Sequence, residues 1–379
     1  MLGPYTTKEN KAISYRGNKQ FPAIDNINGI RPNPTEFVER ATSLNSNQMW
    51  GKIARINHRV NLASNNYFDE LRALFVPLPL TTRMISSPGA VYGKEAISYT
   101  TDTSPIKLKW FDLPEEAFLS ESSQIYLELS LIQSDVTQVY SIYSSFRKEI
   151  ADATHLSEFH HIEYEGNVSQ EKNETIALGL ISRIIKDLLN YNEEDLSYFL
   201  STERLGGLEK MAERILEIPH IKFSEALEIL HQDTRNERYK NFTMEDNFGA
   251  WEEIRLTEIF GTMVAVRQFP LLEVPFYHAI VDNSNPKVAD CTDFIWPGYR
   301  ETIGSGHRIK LKEELEEKAR IFDLPKDDYL PYLQSRTLNG YKESSGFGLG
   351  WERMLQGILE MPFIWSAVQF PRVDLTLKP

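Results

Sequence analysis

The stretch Ser345-Gly346-Phe347-Gly348-Leu349-Gly350-Trp351-Glu352-Arg353 decides how this chain is read. Three glycines alternate with apolar residues, and a period of two belongs to a strand. Glycine at every second position strips one strand face of side chains, so another backbone or a flat ligand can lie against it. The run Glu352-Arg353-Met354-Leu355-Gln356-Gly357-Ile358-Leu359 then reads as a helix start that holds Arg353 beside the bare face. Taken alone, the stretch fits a glycine-softened edge strand with a surface arginine equally well.

Upstream, two further segments carry chemistry. Ser145-Phe146-Arg147-Lys148-Glu149 and His155-Leu156-Ser157-Glu158-Phe159 read as a strand, a loop and a returning strand. An arginine at a strand end can grip a phosphate through two parallel hydrogen bonds. Glu149 lies on the same strand face and can accept from an exocyclic amine, while an aromatic on the returning strand can cover a base by stacking. An ordinary charged hairpin is the commoner meaning of Arg-x-Glu. In Asp293-Phe294-Ile295-Trp296-Pro297-Gly298-Tyr299-Arg300-Glu301, two carboxylates flank a Pro-Gly turn and can converge from neighbouring strands. Hard oxygen ligands of that kind suit Mg²⁺ bridging polyphosphate oxygens. Arg308 follows a Gly304-Ser305-Gly306 stretch that permits close approach.

Around these pieces the pattern is that of an α+β domain on a largely antiparallel sheet. Residues 46–73 carry Trp50, Ile53, Ile56, Val60, Phe68 and Leu71 at helical spacing, with a break expected near Asn65-Asn66. Phe75-Val76-Pro77-Leu78-Pro79-Leu80 reads as an edge strand, because two prolines cannot sit in a central ladder. Gln124 to Gln133 suits a helix; Gln138 to Tyr143 and His160 to Tyr164 suit strands. Residues 174–233 look helical, residues 260–304 read as strands, and 311–322 as a charged helix. The expected organisation is an N-terminal arm (1–46) and a catalytic domain (47–379) with a helical insertion at about 170–235.

The chain has 379 residues, 41% hydrophobic and 25% charged, an ordinary globular composition. A net charge of −13 argues against nonspecific nucleic-acid binding. The lone Cys291 excludes an internal disulfide and fits a reducing compartment. No uncharged apolar run approaches the ~20 residues of a membrane span. Met1 to Asn10 lacks the apolar core of a signal peptide, so a cytoplasmic protein with no membrane partner is expected.

Together the three segments resemble motifs two and three, and the acidic strand between them, of class II aminoacyl-tRNA synthetases, most closely the asparaginyl and aspartyl branch. The third motif's glycines stand as Gly346, Gly348 and Gly350 and its arginine as Arg353. Val76-Pro77-Leu78-Pro79-Leu80 is similar to the first motif, which in such enzymes builds a dimer interface, so a homodimer is implied. The resemblance covers roughly residues 47–373. It implies an antiparallel sheet flanked by helices that holds ATP bent, with Mg²⁺ as cofactor. It also implies roles. Arg147 would contact the α-phosphate, Glu149 the adenine amine, and Phe159 one adenine face. Arg353 would cover the other face and reach the γ-phosphate. His155 and Gly350 complete the ATP-binding set, and Asp293 and Glu301 would hold the metal.

Ser122 to Glu128 resembles the amino-acid-binding segment of this branch. Gln124 would hold the ammonium or carboxylate, and the Leu127-Glu128 pair looks more like asparaginyl than aspartyl enzymes, which place a lysine at position 127. Arg308 would face the substrate side chain and Glu163 its ammonium group. Gln124 and Glu128 also fit a helix surface, and Glu163 a strand residue paired elsewhere.

Three departures shape the functional expectation. The anticodon barrel of such enzymes needs on the order of 100 residues, against the 46 that precede the matched region. The loop after Glu149 has Thr154 where an arginine usually precedes the histidine, and no cation but Lys148 stands beside it. Ser86-Ser87-Pro88-Gly89-Ala90 is similar to the mobile loop over the amino acid, but Pro88 stands where the family has a glutamate. The expectation is therefore an enzyme that converts ATP and an acidic or amide amino acid, aspartate- or asparagine-like, into an acyl adenylate. Ammonia, an amine or a carrier would take it up instead of tRNA, as in the archaeal relatives that lack the barrel and act as asparagine synthetases. The alternatives are an asparagine–tRNA ligase without its own anticodon domain and a noncatalytic nucleotide-binding regulator.

Overall fold

A computed structural model describes residues 3–9, 12–16, 19–20 (backbone only), 30–86, 105–240 and 248–378. The chain opens with a small antiparallel sheet of β1 (Tyr5–Thr7), β2 (Ile13–Tyr15) and β3 (Lys19–Gln20). Two short helices follow, α1 (Pro34–Val38) and α2 (Arg40–Ser46). Helix α3 (Met49–Glu70) then runs unbroken through Asn65-Asn66. The expected break is absent because Asn65 Nδ2 donates to the Asn61 carbonyl at 2.8 Å, one turn back, so its amide is satisfied inside the helix.

Strand β4 (Leu74–Phe75) is an edge strand shorter than the sequence suggested. Pro77 and Pro79 remove ladder donors immediately after it. Strands β5 (Thr81–Thr82), β6 (Lys107–Lys109) and β7 (Glu116–Leu119) form a second three-stranded sheet. Next come α4 (Gln124–Ser130), β8 (Gln138–Phe146) and β9 (Glu158–Gly166).

The region read as wholly helical contains α5 (Gln170–Tyr191), α6 (Glu193–Leu196), α7 (Thr202–Glu213) and α8 (Phe223–Thr234). It also holds the short strand β10 (His220–Lys222). After α9 (Ala250–Phe260) come β11 (Val264–Arg267), β12 (Cys291–Ile295) and β13 (Glu301–His307). Residues 268–290, expected to be strand, make only isolated bridges, in keeping with Pro270, Pro275 and Pro286, which cannot donate to a ladder. The chain closes with α10 (Lys312–Ile321), α11 (Lys326–Gln334), β14 (Ser345–Gly350) and α12 (Trp351–Ile358).

Among the described residues, eight strands make the main sheet in the order β10-β11-β12-β13-β14-β9-β8-β4. Only the end pairs, β10–β11 and β4–β8, are parallel. One face carries the core. Phe347 and Leu349 of β14 are buried there, with Tyr164 stacked on Phe347 at 5.4 Å between centroids. Helix α5 covers that face with Ile176, Leu180, Ile181, Ile184 and Leu188, all fully or almost fully buried. Asn173 Nδ2 donates to the Gly346 carbonyl at 3.1 Å, pinning helix to strand. Since side chains alternate along a strand, Gly346, Gly348 and Gly350 face the other way.

The N-terminal sheet is a clamp. Tyr5 donates its hydroxyl to the Pro362 carbonyl and packs edge-on against Tyr299, with centroids 5.4 Å apart. Gly3 N–H donates to the Pro297 carbonyl at 3.0 Å, so the arm sits on the turn between β12 and β13. Gly298 has φ +69°, and a Cβ there would lie 2.7 to 2.8 Å from Gly3 backbone atoms. Gly298→Ala is therefore expected to cost about 1–2 kcal/mol in backbone strain plus the displaced arm. Urea melts and limited proteolysis of the N-terminus read both effects; a variant as stable and as protease-resistant as wild type would show the clamp is not needed.

Candidate active site

The open face of the sheet is built on glycines paired across strands. The β13–β14 register sets Gly304 against Gly348 and Gly306 against Gly346. On the next strand, Glu163 lies against Gly348, Glu165 against Gly346 and His161 against Gly350. Phe159, His161, Glu163 and Glu165 thus form one row along β9 by strand alternation. Polar side chains occupy the room the glycines leave. A Cβ on Gly346 would overlap Glu165 Oε2 and Gln124 Nε2, and one on Gly348 would lie 3.4 Å from Glu163 Oε1. At Gly304 it would lie 2.9 Å from Glu301 Oε1 and 3.7 Å from Asp293 Oδ1, so the two carboxylates flanking the Pro-Gly turn do converge.

At one end, the Arg147 guanidinium carbon lies 5.2 Å from the Phe159 ring centroid, and its Nη1 is 3.9 Å from Glu149 Oε1. Arg353 is anchored through Nη1 to the Glu301 carbonyl (2.8 Å) and through Nη2 to the Thr154 carbonyl (3.1 Å). That ties the helix after the glycine strand to both the acidic strand and the loop after Glu149. His155 Nδ1 meets Asp152 Oδ1 at 2.9 Å, which closes the loop on itself. Glu352 is buried and receives the His160 backbone N–H at 2.9 Å, with His160 Nδ1 2.6 Å from its other oxygen.

At the other end, Arg308 is 2% exposed and forms a buried ion pair with Glu165, Nη2 to Oε2 at 2.8 Å with Nε also donating. Its guanidinium carbon lies 5.0 Å from the Tyr277 ring centroid, and Nη1 has no partner among the described residues. Gln124 Nε2 donates to the Tyr164 carbonyl at 2.8 Å and to Glu165 Oε2 at 2.5 Å. Glu163 accepts from Ser122 Oγ at 2.6 Å, while its Oε2 is buried without a partner among the described residues. Burial pushes Glu163 up to about 7. Burial also raises Asp293 well above the ordinary carboxylate range, helped by repulsion from Glu301, Glu253 and Glu273. His161, buried and beside Arg147 and Arg353, is held well below the usual imidazole value.

One cavity of about 190 Å³ is lined by Gln124, Arg147, Glu149, His155, Phe159, Glu163, Asp293, Glu301, Arg308, Gly350 and Arg353. Those eleven sequence candidates therefore share a single space. Glu128 does not line it. One helical turn beyond Gln124, it is buried in an ion pair with Arg336 (2.5 Å) and accepts from the Tyr332 hydroxyl. The expectation that Glu128 binds the amino acid is corrected accordingly: Gln124 takes the cavity position on α4, and Glu128 lies a layer behind Arg308 and Glu165, to which it is electrostatically coupled. Of the segment similar to the mobile loop, residues 87–90 lie outside the described residues. Ser86 is buried, with Oγ on the Ser122 carbonyl at 3.0 Å.

Glu165, which stands behind the cavity as the partner of the lining Arg308, was not among the sequence candidates. The signal existed, since it follows Glu163 by two on a strand and so shares its face. Glu273, Tyr277 and His278 also line the cavity, and they come from the irregular 268–290 segment, where periodicity carries no information. No helix among the described residues is long and apolar enough to cross a membrane.

The match to known proteins follows this geometry. Residues 33–374 match the family model of tRNA synthetases class II (D, K and N), and the chain belongs to that family. It is an ATP-dependent ligase of the kind that forms an aminoacyl adenylate. The chain is 30% identical over 331 residues to the asparagine–tRNA ligase of Pelotomaculum thermopropionicum, covering 86% of this chain and 70% of that protein. It is 29% identical over 333 residues to the corresponding ligase of Thermus thermophilus, again covering 86% and 70%. The crystal structure of asparaginyl-tRNA synthetase from Pyrococcus horikoshii with asparaginyl-adenylate superposes with TM-score 0.78 at 27% identity, covering 95% of this chain and 76% of that one.

Two outcomes test the site's construction. A methyl group on Gly346 collides with Glu165 and Gln124 at the cavity floor, so Gly346→Ala is expected to abolish amino-acid-dependent pyrophosphate exchange; exchange at the wild-type rate would refute the bare-face construction. Glu163 titrates higher folded than unfolded, so its stabilising contribution is full below about pH 4.5 and is lost as pH rises through about 7. Glu163→Gln removes this titration, and its melting temperature should gain on wild type between about pH 5 and pH 8; parallel curves over that range would disprove the assignment.

Proposed function

We propose that this chain activates asparagine as asparaginyl adenylate. The observation that carries the choice is the Arg308–Glu165 pair. Arg308 lines the cavity and keeps Nη1 without a partner among the described residues, while Glu165 behind it balances its charge. A neutral amide can accept from that donor without adding a charge. An aspartate carboxylate would meet Glu165 as an unpaired like charge in a desolvated site, a cost of several kcal/mol. The resemblance to asparagine–tRNA ligases supports the same reading.

In this reading Glu163 and Gln124 hold the ammonium end, and Glu163 does so as the carboxylate. Phe159 stacks on one adenine face, Glu149 accepts from the adenine amine, and His155 stands at the phosphate side of the loop. Gly350 leaves the space beneath the nucleotide open. Arg147 grips the α-phosphate, and Arg353 covers the adenine and reaches the γ-phosphate. A carboxylate oxygen of asparagine attacks the α-phosphorus, the bond to pyrophosphate breaks, and charge building on the phosphoryl oxygens is stabilised by fixed cations. No side-chain nucleophile is required, because placement supplies the rate. Asp293 and Glu301 fit a Mg²⁺ ion, which takes one or two carboxylates together with phosphate oxygens and would neutralise the polyphosphate charge. Their convergence over Gly304, where burial and then repulsion from Glu301 raise Asp293, is the physical support for a cation there.

For the acceptor, the relatives support tRNA, and that is the reading adopted. One observation favours the second reading, an acceptor such as ammonia, an amine or a carrier thiol. The loop after Glu149 carries no lysine or arginine, Lys148 lying just ahead of it, and its Asp152 is turned inward onto His155. The same family membership supports a homodimer through the edge where Leu74 and Phe75 are 53% exposed.

Asparagine-dependent exchange of pyrophosphate into ATP tests the activation step, with Arg147→Ala and Arg353→Ala each expected to reduce it about 100-fold or more. Exchange with aspartate in preference to asparagine would overturn the amide assignment, and silence with both would favour a regulator. Charging of unfractionated tRNA with radiolabelled asparagine decides the acceptor; robust exchange without charging would replace tRNA by the small acceptor.

A further inference from the structure

We propose that His278 is a specificity residue that hydrogen-bonds the substrate's side-chain group, an assignment that rests on the asparagine reading and deepens it. Three of the four paired glycines on the open face already have a polar partner with a part in the site. Gly304 faces Asp293 and Glu301, Gly348 faces Glu163, and Gly346 faces Glu165 and Gln124. The fourth, Gly306, is covered by His278. A Cβ there would lie 2.8 Å from Cε1 and 2.9 Å from both Nδ1 and Nε2, so the nitrogen-bearing edge of the ring lies on the glycine. Gly306 pairs with Gly346 in the register, which puts His278 across from the Glu165–Gln124 contact, at the end assigned to the amino-acid side chain.

The main chain that carries the ring is held in place. His278 bridges Arg308 as an antiparallel pair, its N–H donates to the Pro275 carbonyl at 3.2 Å, and its carbonyl accepts from the buried Lys318 Nζ at 3.1 Å. It is 7% exposed and lines the cavity, and Nδ1 has no hydrogen-bond partner among the described residues. An unpaired buried nitrogen is a cost to folding that a bound polar group can remove. Burial, together with the nearby Arg308 and Lys318 charges, keeps the imidazole neutral. A neutral imidazole offers one N–H and one lone pair, and an amide presents the matching acceptor and donor.

The test is asparagine-dependent pyrophosphate exchange by the full chain as wild type, His278→Phe and His278→Gln. Phe keeps a ring of similar bulk without nitrogen; Gln restores a donor and an acceptor. Loss of one buried hydrogen bond predicts a KM for asparagine about tenfold higher in the Phe variant, with the KM for ATP unchanged. The preference for asparagine over aspartate should fall alongside, and the Gln variant should recover most of the loss. Should the Phe variant not fold, His278→Met takes its place. An unchanged asparagine KM in the apolar variant, or a Gln variant as impaired as the apolar one, overturns the assignment while leaving the proposed function standing. A wild-type protein that shows no exchange with asparagine overturns the proposed function itself, and this inference with it.

Discussion

The pairing of Gly304 with Gly348 and of Gly306 with Gly346 is the constraint on which the site depends. Two adjacent strands in the middle of an antiparallel sheet present no side chains over a continuous patch of one face. Polar side chains from β9, β12, β13, α4 and the irregular segment before β12 stand in the space so left. Glycine in a strand interior is unfavourable by roughly 0.5–1 kcal/mol per residue relative to alanine. The other face offsets that cost, because Phe347 and Leu349 alternate with the glycines and are buried under α5. One strand therefore serves the core with its odd positions and the ligand with its even ones.

Electrostatics then differentiates the two ends of the patch. Around Gly304, burial and carboxylate–carboxylate repulsion raise Asp293. Around Gly306 and Gly346, Arg308 and Glu165 cancel each other inside the protein. Arg147 and Arg353 line the cavity of a chain whose net charge is −13, and cations in a desolvated cleft act at short range. The overall charge, screened within about a Debye length, has little say there.

Support for this geometry arrives from distant parts of the chain. The N-terminal sheet, read from sequence as an arm, docks on the Pro297-Gly298 turn and so backs the hairpin that carries Asp293 and Glu301. Arg353 commits both of its terminal nitrogens to main-chain carbonyls, one from β13 and one from the loop at Thr154. Helices α10 and α11 pack Leu315, Tyr329 and Tyr332, with Phe322 just past α10, against the segment that presents Tyr277 and His278.

The α+β class, most long elements and the family were legible in the sequence, and eleven of the twelve residues it singled out line one cavity. Those features are local: alternating glycines, an arginine at a strand end, carboxylates on either side of a Pro-Gly turn. Each is legible because strand and helix periods map directly onto faces. Tertiary structure decided the rest. It sent Glu128 to Arg336 instead of the cavity, joined Glu165 to Arg308 across 143 positions, and brought His278 onto Gly306 from a segment with no period. Partner choice among buried charges depends on which desolvated groups come within hydrogen-bond reach after folding. No spacing along the chain encodes that distance.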